Sequence, residues 1–321
     1  MAGAALAQWG GATLPPRLVK DRENIVYDVT LRNGTRAALR LHRPGYQTEG
    51  AIRAELTWMQ GLAGAGLAVP EPVRTVTGDL SAAVGDRIVS VLTWLAGTPI
   101  GAAERPLDGG AYAQEGLMRR LGALIGRMHN LTDALNLPAT LERPRWDAEG
   151  YLGDQPLWGP FWENPAFMSD ERAMIGVART KARVHLANLA GKGSDFGLIH
   201  ADCLRENVLD DGRDLKLIDF DDSGWGFRAY DLATAVFQSL EERALPQIVR
   251  GLLRGYSEVR PGSDAPLHLA LFVMLRTFAS AGWITTRASA DDPGQKLYAG
   301  RAVRMATHYL AGSTPWDKAR V

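Results

Sequence analysis

Leu198–Asp231 reads LIHADCLRENVLDDGRDLKLIDFDDSGWGFRAYD. It contains His200-x-Asp202-x-x-x-x-Asn207, and a β-like run, Leu215–Ile218, that leads into Asp219-Phe220-Asp221. Transfer of a phosphoryl group from ATP needs this kind of set. One carboxylate must accept or orient the proton of the attacking hydroxyl, and an oxygen ligand and a second carboxylate must hold magnesium on the phosphates. A loop offers the first two groups about five residues apart, and the strand that follows delivers the third. Asp202, Asn207 and Asp219 fit these roles in that order. The competing reading is that such acids merely cap turns and helices, and for Asp231, at the start of Tyr-Asp-Leu-Ala, an ordinary helix cap stays open.

Upstream of this stretch the pattern changes character twice. Leu18–Leu31 alternates imperfectly and reads as two strands about a turn near Asp21–Asn24. Asn33-Gly34 is a hairpin signal, and Arg36–His42 reads as a third strand ended by Pro44-Gly45. Thr48 offers a cap for a helix to about Ala63, with Ile52, Leu56, Met59 and Leu62 on one face. Two more strands are expected near Val73–Thr77 and Arg87–Thr93. Beyond Trp94–Pro99 the chain reads as mostly helical, with helices expected over Gln114–Asn130, Ser169–Leu189, Tyr230–Glu242, Pro246–Val259, Pro266–Ala288 and Pro293–Leu310. An insert from Arg143 to Asn164 is rich in Trp, Gly and Pro.

His-x-Asp-x-x-x-x-Asn followed by Asp-Phe resembles the catalytic loop and metal-binding segment of the eukaryotic-like kinase superfamily. His-Ala-Asp-x-x-x-Glu-Asn-Val-Leu and Ile-Asp-Phe-Asp-Asp-x-Gly-x-Gly are similar to the aminoglycoside phosphotransferase and choline kinase branch, in the group that contains stress response kinase A and homoserine kinase of the second type. The resemblance implies a bilobal, protein-kinase-like α+β fold. Residues 1–93 would form a small N-lobe of about five antiparallel strands plus one helix, 94–99 a hinge, and 100–321 a larger, mainly helical C-lobe carrying the catalytic loop and acceptor site. It also assigns Asp202 as catalytic base, Asn207 and Asp219 as magnesium ligands, His200 as a fixer of the loop and Asp231 as a brace of its backbone.

Such a fold needs a cation for the ATP phosphates on the third strand, paired with a helix glutamate, and in protein kinases it is lysine. The third strand here has no lysine, and Arg40 takes the place, as in choline kinases. Arginine keeps its charge and forks onto phosphate oxygens. Glu55, on the border of the helix's inward face, is the expected partner, with Arg43 as the competing cation because strand register is uncertain by a residue. Arg40→Ala should therefore raise the ATP requirement sharply, and Lys20→Ala, on the first strand, should not. No GxGxxG lies between the first two strands; Asp21-Arg22-Glu23-Asn24 stands there, with Asn24 as a candidate phosphate contact. Backbone groups of Thr93, Trp94 and Leu95 would pair with adenine, against the alternative of a plain packed linker.

On the acceptor side, Asp231 follows Asp219 by only twelve positions, and no Ala-Pro-Glu element follows, so a phosphorylation-ordered activation loop has no room. Trp146, Tyr151, Trp158, Phe161 and Trp162 crowd the insert, and Trp283 lies in a late helix. An aromatic wall of Trp158, Trp162 and Trp283 can hold an alkylammonium group, with negative charge from Asp221. The same aromatics can equally pin the insert onto the helices. Arg205, inside the catalytic loop, is either a phosphate or carboxylate contact or a solvated loop charge.

Composition bounds these readings. The chain has 321 residues, 46% of them hydrophobic, with 36 basic and 36 acidic side chains and no formal net charge. That excludes a disordered chain and speaks against a nucleic-acid binder. Six of the basic residues are lysines and thirty are arginines, a bias that leaves few lysines for any mechanism. One cysteine, Cys203, forbids a disulfide framework and suits a reducing, cytoplasmic setting. The N-terminus lacks the basic region of a signal peptide. The apolar run Leu269–Leu275 is too short to span a bilayer, so no membrane partner is expected. Together these lines predict an enzyme that uses ATP and Mg2+ to phosphorylate a hydroxyl of a small molecule: an amino alcohol, a hydroxy amino acid or an aminoglycoside-like compound. A Ser/Thr protein kinase of the stress response kinase A type and a non-catalytic nucleotide-binding scaffold are the alternatives.

Overall fold

Strands β1 (Arg17–Asp21), β2 (Ile25–Thr30) and β3 (Arg36–Leu41) form an antiparallel meander, and β4 (Ser81–Val84) and β5 (Arg87–Thr93) complete a five-stranded sheet in the order β1-β2-β3-β5-β4. The computed structural model describes residues 1–21, 24–138 and 140–317. Alternate residues of β2, β3 and β5 point to one face, where Val29, Leu39, Leu41, Val89 and Val91 make a core. A short N-terminal helix, α1 (Ala2–Leu6), lies on that core with Ala5, Leu6 and Trp9, and the Trp9 indole donates to the Val73 carbonyl at 2.7 Å.

Val73–Thr77 differs from its expected strand. Thr75, Thr77 and Asp79 bind one another through their side chains in a turn, with Thr75 Oγ1 accepting from the Asp79 N–H at 3.0 Å. Side-chain oxygens that can satisfy nearby backbone compete with a ladder. The strand is instead Ser81–Val84, which turns through Gly85, at φ 64°, and Asp86 into β5. Gly-Asp between two apolar runs is the hairpin signal for it.

Helix α2 (Glu49–Gly64) begins at Thr48, whose hydroxyl accepts from the Ala51 N–H at 3.0 Å, a cap worth about 1 kcal/mol. It buries Ile52, Glu55, Leu56, Met59 and Leu62. Trp58 meets Phe220 edge to face at 5.3 Å and donates to Thr132 at 3.0 Å. These partners come from far along the chain because the first compact unit comprises Met1–Thr98, Leu131–Arg143 and Leu209–Asp221. A contiguous boundary after residue 93 misses the two returning segments, which local pattern cannot reveal.

The second unit comprises Pro99–Asn130, Pro144–Val208 and Asp222–Val321. After the two-residue strand β6 (Thr98–Pro99) come α3 (Ala111–Ala134), β7 (Arg145–Trp146), α4 (Ala148–Leu152) and α5 (Ser169–Lys192). In chain order β8 (Phe196–Ile199), β9 (Val208–Asp210), β10 (Leu215–Leu217) and β11 (Gly224–Phe227) follow, of which β9 beyond Val208 and β10 belong to the first unit. Helices α6 (Ala229–Phe237), α7 (Leu245–Val259), α8 (Leu269–Thr285) and α9 (Pro293–Ala311) close the chain. Strand β11 pairs antiparallel with β8 and parallel with β7. Gly224 is required there, since a Cβ would stand 2.4 Å from the Pro144 carbonyl oxygen. By length and composition Ala265–Thr285 could cross a membrane, and 72% of its apolar window is buried within the structure, as in the core helix of a folded unit.

Candidate active site

In the first unit, Arg40 and Glu55 come together: Arg40 Nη1 donates to Glu55 Oε1 at 2.8 Å, with the arginine 5% exposed and the glutamate not exposed at all. Arg40 sits mid-strand in β3 opposite Ser90 and Val26, which aims it at the inner face of α2. The competing cation, Arg43, is exposed. Arg40 Nη2 meets the carboxylate of Asp221, and so does Asn24 Nδ2, while Asn24 Oδ1 accepts from the Arg43 N–H at 3.3 Å. Burial pushes an arginine's pKa down, and Asp221 and Glu55 override it, so Arg40 is firmly charged. Burial likewise pushes Glu55 up, but Arg40 and Arg143 more than offset it and the carboxyl lies below its usual range.

Arg143 escaped the sequence reading, which saw it only as the start of an insert. Its guanidinium donates to Gln47 Oε1 at 2.8 Å and to the carbonyls of Ala51, Phe220 and Asp221 at 3.0, 3.3 and 2.6 Å. It thus fastens the segment after Asp219 to α2. Asp219 itself has φ 67°, a left-handed conformation that costs a non-glycine residue about 1–3 kcal/mol and clusters at functional sites. Its Oδ2 lies 3.3 Å from Lys20 Nζ.

In the second unit, Asp202 follows β8 in a loop held from below. Asp231 accepts from the backbone N–H of His200 at 2.9 Å and of Ala201 at 2.7 Å, and contacts His129 Nε2 at 3.0 Å. Asp231 therefore spends its carboxylate on the loop, not on capping its own helix α6, whose N-cap has no side-chain hydrogen bond. Burial is the main influence on this carboxyl and raises its pKa. His129 is fully buried and also contacts the Tyr256 hydroxyl at 3.0 Å. His200 Nδ1 accepts from the Asp202 N–H at 3.2 Å, which places its own proton on Nε2. Ala201 at φ 65° makes the sharp turn between them. Asn207 Nδ2 donates to the Asp202 carbonyl at 3.0 Å and to Oδ2 at 2.8 Å. With its amide nitrogen committed to Asp202, its oxygen points the other way, as a hard cation would need. Cys203 is buried, and burial raises its thiol well above the usual range, so it packs and does not react.

Several expected contacts are otherwise engaged. Asp221, expected at the acceptor, is drawn instead to the buried guanidinium of Arg40. Arg205 is neither solvated nor open to a ligand: it is 3% exposed, paired with Glu242 and bonded to Ser239 Oγ at 2.7 Å. Thr93 and Trp94 donate their backbone N–H groups to the carbonyls of Glu71 at 2.8 Å and Arg36 at 3.0 Å, so those two hinge donors are already engaged. Each tryptophan of the expected aromatic wall carries one of the protein's own arginines over its ring: Arg276 on Trp158 at 4.4 Å, Arg179 on Trp162 at 4.0 Å and Arg287 on Trp283 at 5.1 Å. Arg22 and Glu23 of the first turn lie outside the described residues.

Arg276 is the other residue missed. Its Nη2 stands 3.3 Å from Asp202 Oδ1, so the two oxygens of that carboxylate face Arg276 and Asn207. A lone arginine in the otherwise apolar run LALFVMLRTFASAGWIT is its sequence signal, because such a charge is rarely buried without a purpose.

Among the described residues no three His, Cys, Asp or Glu gather into a metal cluster. Magnesium on a nucleotide needs only one or two protein oxygens beside the phosphates, and the oxygen donors Asn207 and Asp219 suit it in kind.

A model of the phosphotransferase enzyme family matches residues 16–267. A homoserine kinase of Gluconobacter oxydans is 30% identical over 286 residues, which cover 79% of this chain and 81% of that one. An amicoumacin kinase of Bacillus subtilis is 24% identical over 244 residues, covering 75% and 68% of the two chains. A solved microcompartment-associated aminopropanol kinase superposes with a TM-score of 0.80 at 27% identity, covering 97% of both chains. The chain belongs to the phosphotransferase enzyme family, within the aminoglycoside phosphotransferase and choline kinase superfamily. Its small β-rich unit and larger helical unit are those of the protein-kinase-like fold.

Proposed function

We propose that this protein transfers the γ-phosphoryl group of ATP to a hydroxyl of a small molecule. The observation that carries the reading is the loop geometry around Asp202. A carboxylate is presented at the end of β8, fixed on one oxygen by Asn207 and braced from beneath by Asp231 through two backbone N–H groups. In the reaction the acceptor oxygen forms a bond to the γ-phosphorus as the bond to the bridging oxygen of ADP breaks. Asp202 orients the hydroxyl and takes up its proton. Asn207 and Asp219 are the residues that would hold magnesium, which when bound neutralises charge on the phosphates. Arg40, kept charged between Glu55 and Asp221, orders the β3–α2 face on which the nucleotide phosphates would be received.

A small acceptor fits better than a protein. Between Asp219 and α6 the chain has length only for the four-residue strand β11, whose pairing with β7 and β8 leaves no segment to be ordered by phosphorylation. The relatives named as homoserine, amicoumacin and aminopropanol kinases support a small-molecule acceptor. The test is ADP formation with a panel of amino alcohols, hydroxy amino acids, sugars and aminoglycosides. Asp202→Ala should cut kcat by about a thousandfold while ATP binding stays near normal. Full turnover in that variant, or ADP formation with proteins alone, would sink the reading.

A further inference from the structure

The surroundings of Arg276 say what kind of acceptor belongs beside Asp202. Its guanidinium is 3% exposed and clasped between the rings of Trp158, at 4.4 Å, and Phe237, at 4.9 Å. Nη1 donates to Ser280 Oγ at 2.8 Å, and Nη2 reaches Asp202 Oδ1 at a long 3.3 Å. Among the described residues Nε has no partner. Nearby, Tyr230 and Tyr151 pack ring to ring at 4.8 Å, both are buried, and neither hydroxyl has a partner among the described residues. Tyr230 feels the charges of Arg276, Asp202 and Asp222, and burial holds both phenols protonated. So three groups able to donate, one N–H of Arg276 beside Asp202 and the O–H groups of Tyr230 and its neighbour Tyr151, lie buried without partners among the described residues. Each such group costs about 1–3 kcal/mol if nothing completes it.

An alkylammonium group could donate to the two phenol oxygens but cannot complete Arg276 Nε, a cationic donor that needs an acceptor. The Trp158 face that might have held it carries Arg276 instead. A carboxylate brings two oxygens and about four lone-pair sites, and the Nε/Nη2 edge of arginine is a fork made for it. A guanidinium pinned by two rings and a serine is a fixed recognition element, poorly suited to follow a phosphoryl group in transit.

We propose that the acceptor is a hydroxy acid or hydroxy amino acid, and that Arg276, aided by Tyr230, is the residue that selects it by receiving its carboxylate. The proposal rests on the kinase reading above. It is tested with matched acceptors that differ only by the carboxylate: homoserine against 3-aminopropan-1-ol, and serine against ethanolamine. The wild type should favour the carboxylated member of a pair by at least about tenfold in kcat/KM, since a site built to bond a group rejects the analogue lacking it. In Arg276→Met that preference should collapse towards unity, mainly through KM for the carboxylated acceptor. Arg276→Lys, which keeps the charge and loses the fork, should fall between, and Tyr230→Phe should lower the preference a few fold. These two carry the test if Arg276→Met does not fold.

A wild type that prefers the carboxyl-free member overturns the proposal. So does an Arg276→Met variant that loses kcat equally on both members, which would make Arg276 a stabiliser of the phosphoryl group. If none of the acceptors supports ADP formation, the kinase reading fails, and calorimetric titration with homoserine still decides this one. Binding heat present in the wild type and lost in Arg276→Met supports it, and no heat in the wild type overturns it.

Discussion

Glu55 and Asp231 are both carboxylates with no exposed surface, and their surroundings push them in opposite directions. Around Glu55 the first unit gathers full charges, Arg40 at 2.8 Å and Arg143 at 3.8 Å, and these outweigh desolvation to favour the anion. Around Asp231 the second unit offers backbone N–H groups and an imidazole, and desolvation keeps the upper hand. One carboxylate is a counter-ion and the other a hydrogen-bond hub. The difference follows from what each must hold. A charged arginine needs a charge, whereas a loop backbone needs acceptors at fixed positions.

This contrast can be broken by substitution. Glu55→Gln leaves two guanidinium groups facing a neutral amide, and should cost about 3 kcal/mol by chemical denaturation, because removing one partner of a buried pair strands the other. Asp231→Asn keeps one acceptor oxygen but sets an amide NH2 against a backbone N–H, and should cost about 2 kcal/mol. It should also lower kcat more than the ATP KM, since it loosens the Asp202 loop. An equal or larger stability loss for Asp231→Asn would mean that hydrogen bonds, not charge, dominate both sites.

Acid sharpens the same comparison. Burial, with Arg40 next and Arg143 after Glu55's opposing pull, lowers His42 to a pKa of about 3, against an ordinary 6.5. The unfolded chain therefore binds a proton below 6.5 that the folded chain refuses until about 3. Stability should be lost as pH is lowered through that window, by up to about 1.4 kcal/mol per pH unit. Asp231 has the opposite sign. Its folded pKa is raised, so the fold binds a proton before the unfolded chain does, and its contribution weakens as pH rises through that interval. Denaturation at pH 7, 6 and 5 should show a shallower slope in His42→Gln.

The smallest effect concerns the two cations of the first unit. Arg40→Ala should raise the ATP KM by about tenfold or more, as it breaks a buried network. Lys20, with a side chain 43% exposed and a 3.3 Å contact to Asp219, should change it by no more than about threefold when replaced by Ala.

The catalytic loop was legible because its residues lie close in sequence: Asp202, Asn207, Asp219 and Asp231 are spaced by one loop, one hairpin and one short strand. The Arg40–Glu55 pair was legible because strand and helix periodicity select the faces that meet. What escaped depends on partners distant in sequence. Asp221 and Arg205 looked available as motif neighbours, yet a buried guanidinium claims one, and Glu242 with Ser239 claims the other. Val73–Thr77 has β-branched residues but closes on itself through Thr75, Thr77 and Asp79, which no alternation pattern reports. Trp158 and Trp162 were visible as an aromatic cluster, while the arginines over them arrive from α8 and α5, distant in sequence.

The way the first unit is threaded bears on how the chain is made. Leu131–Arg143 and Leu209–Asp221 belong to the same compact unit as Met1–Thr98. A ribosome must therefore synthesise more than two thirds of the protein before Arg40 can find Asp221 or Trp58 can find Phe220. Until then the early strands would stand with Arg40 held by Glu55 alone and an indole uncovered, the sort of nascent surface that chaperones bind. A fragment ending after Thr98 would be trapped in that condition for good, so this kinase must be expressed, truncated or permuted as a whole.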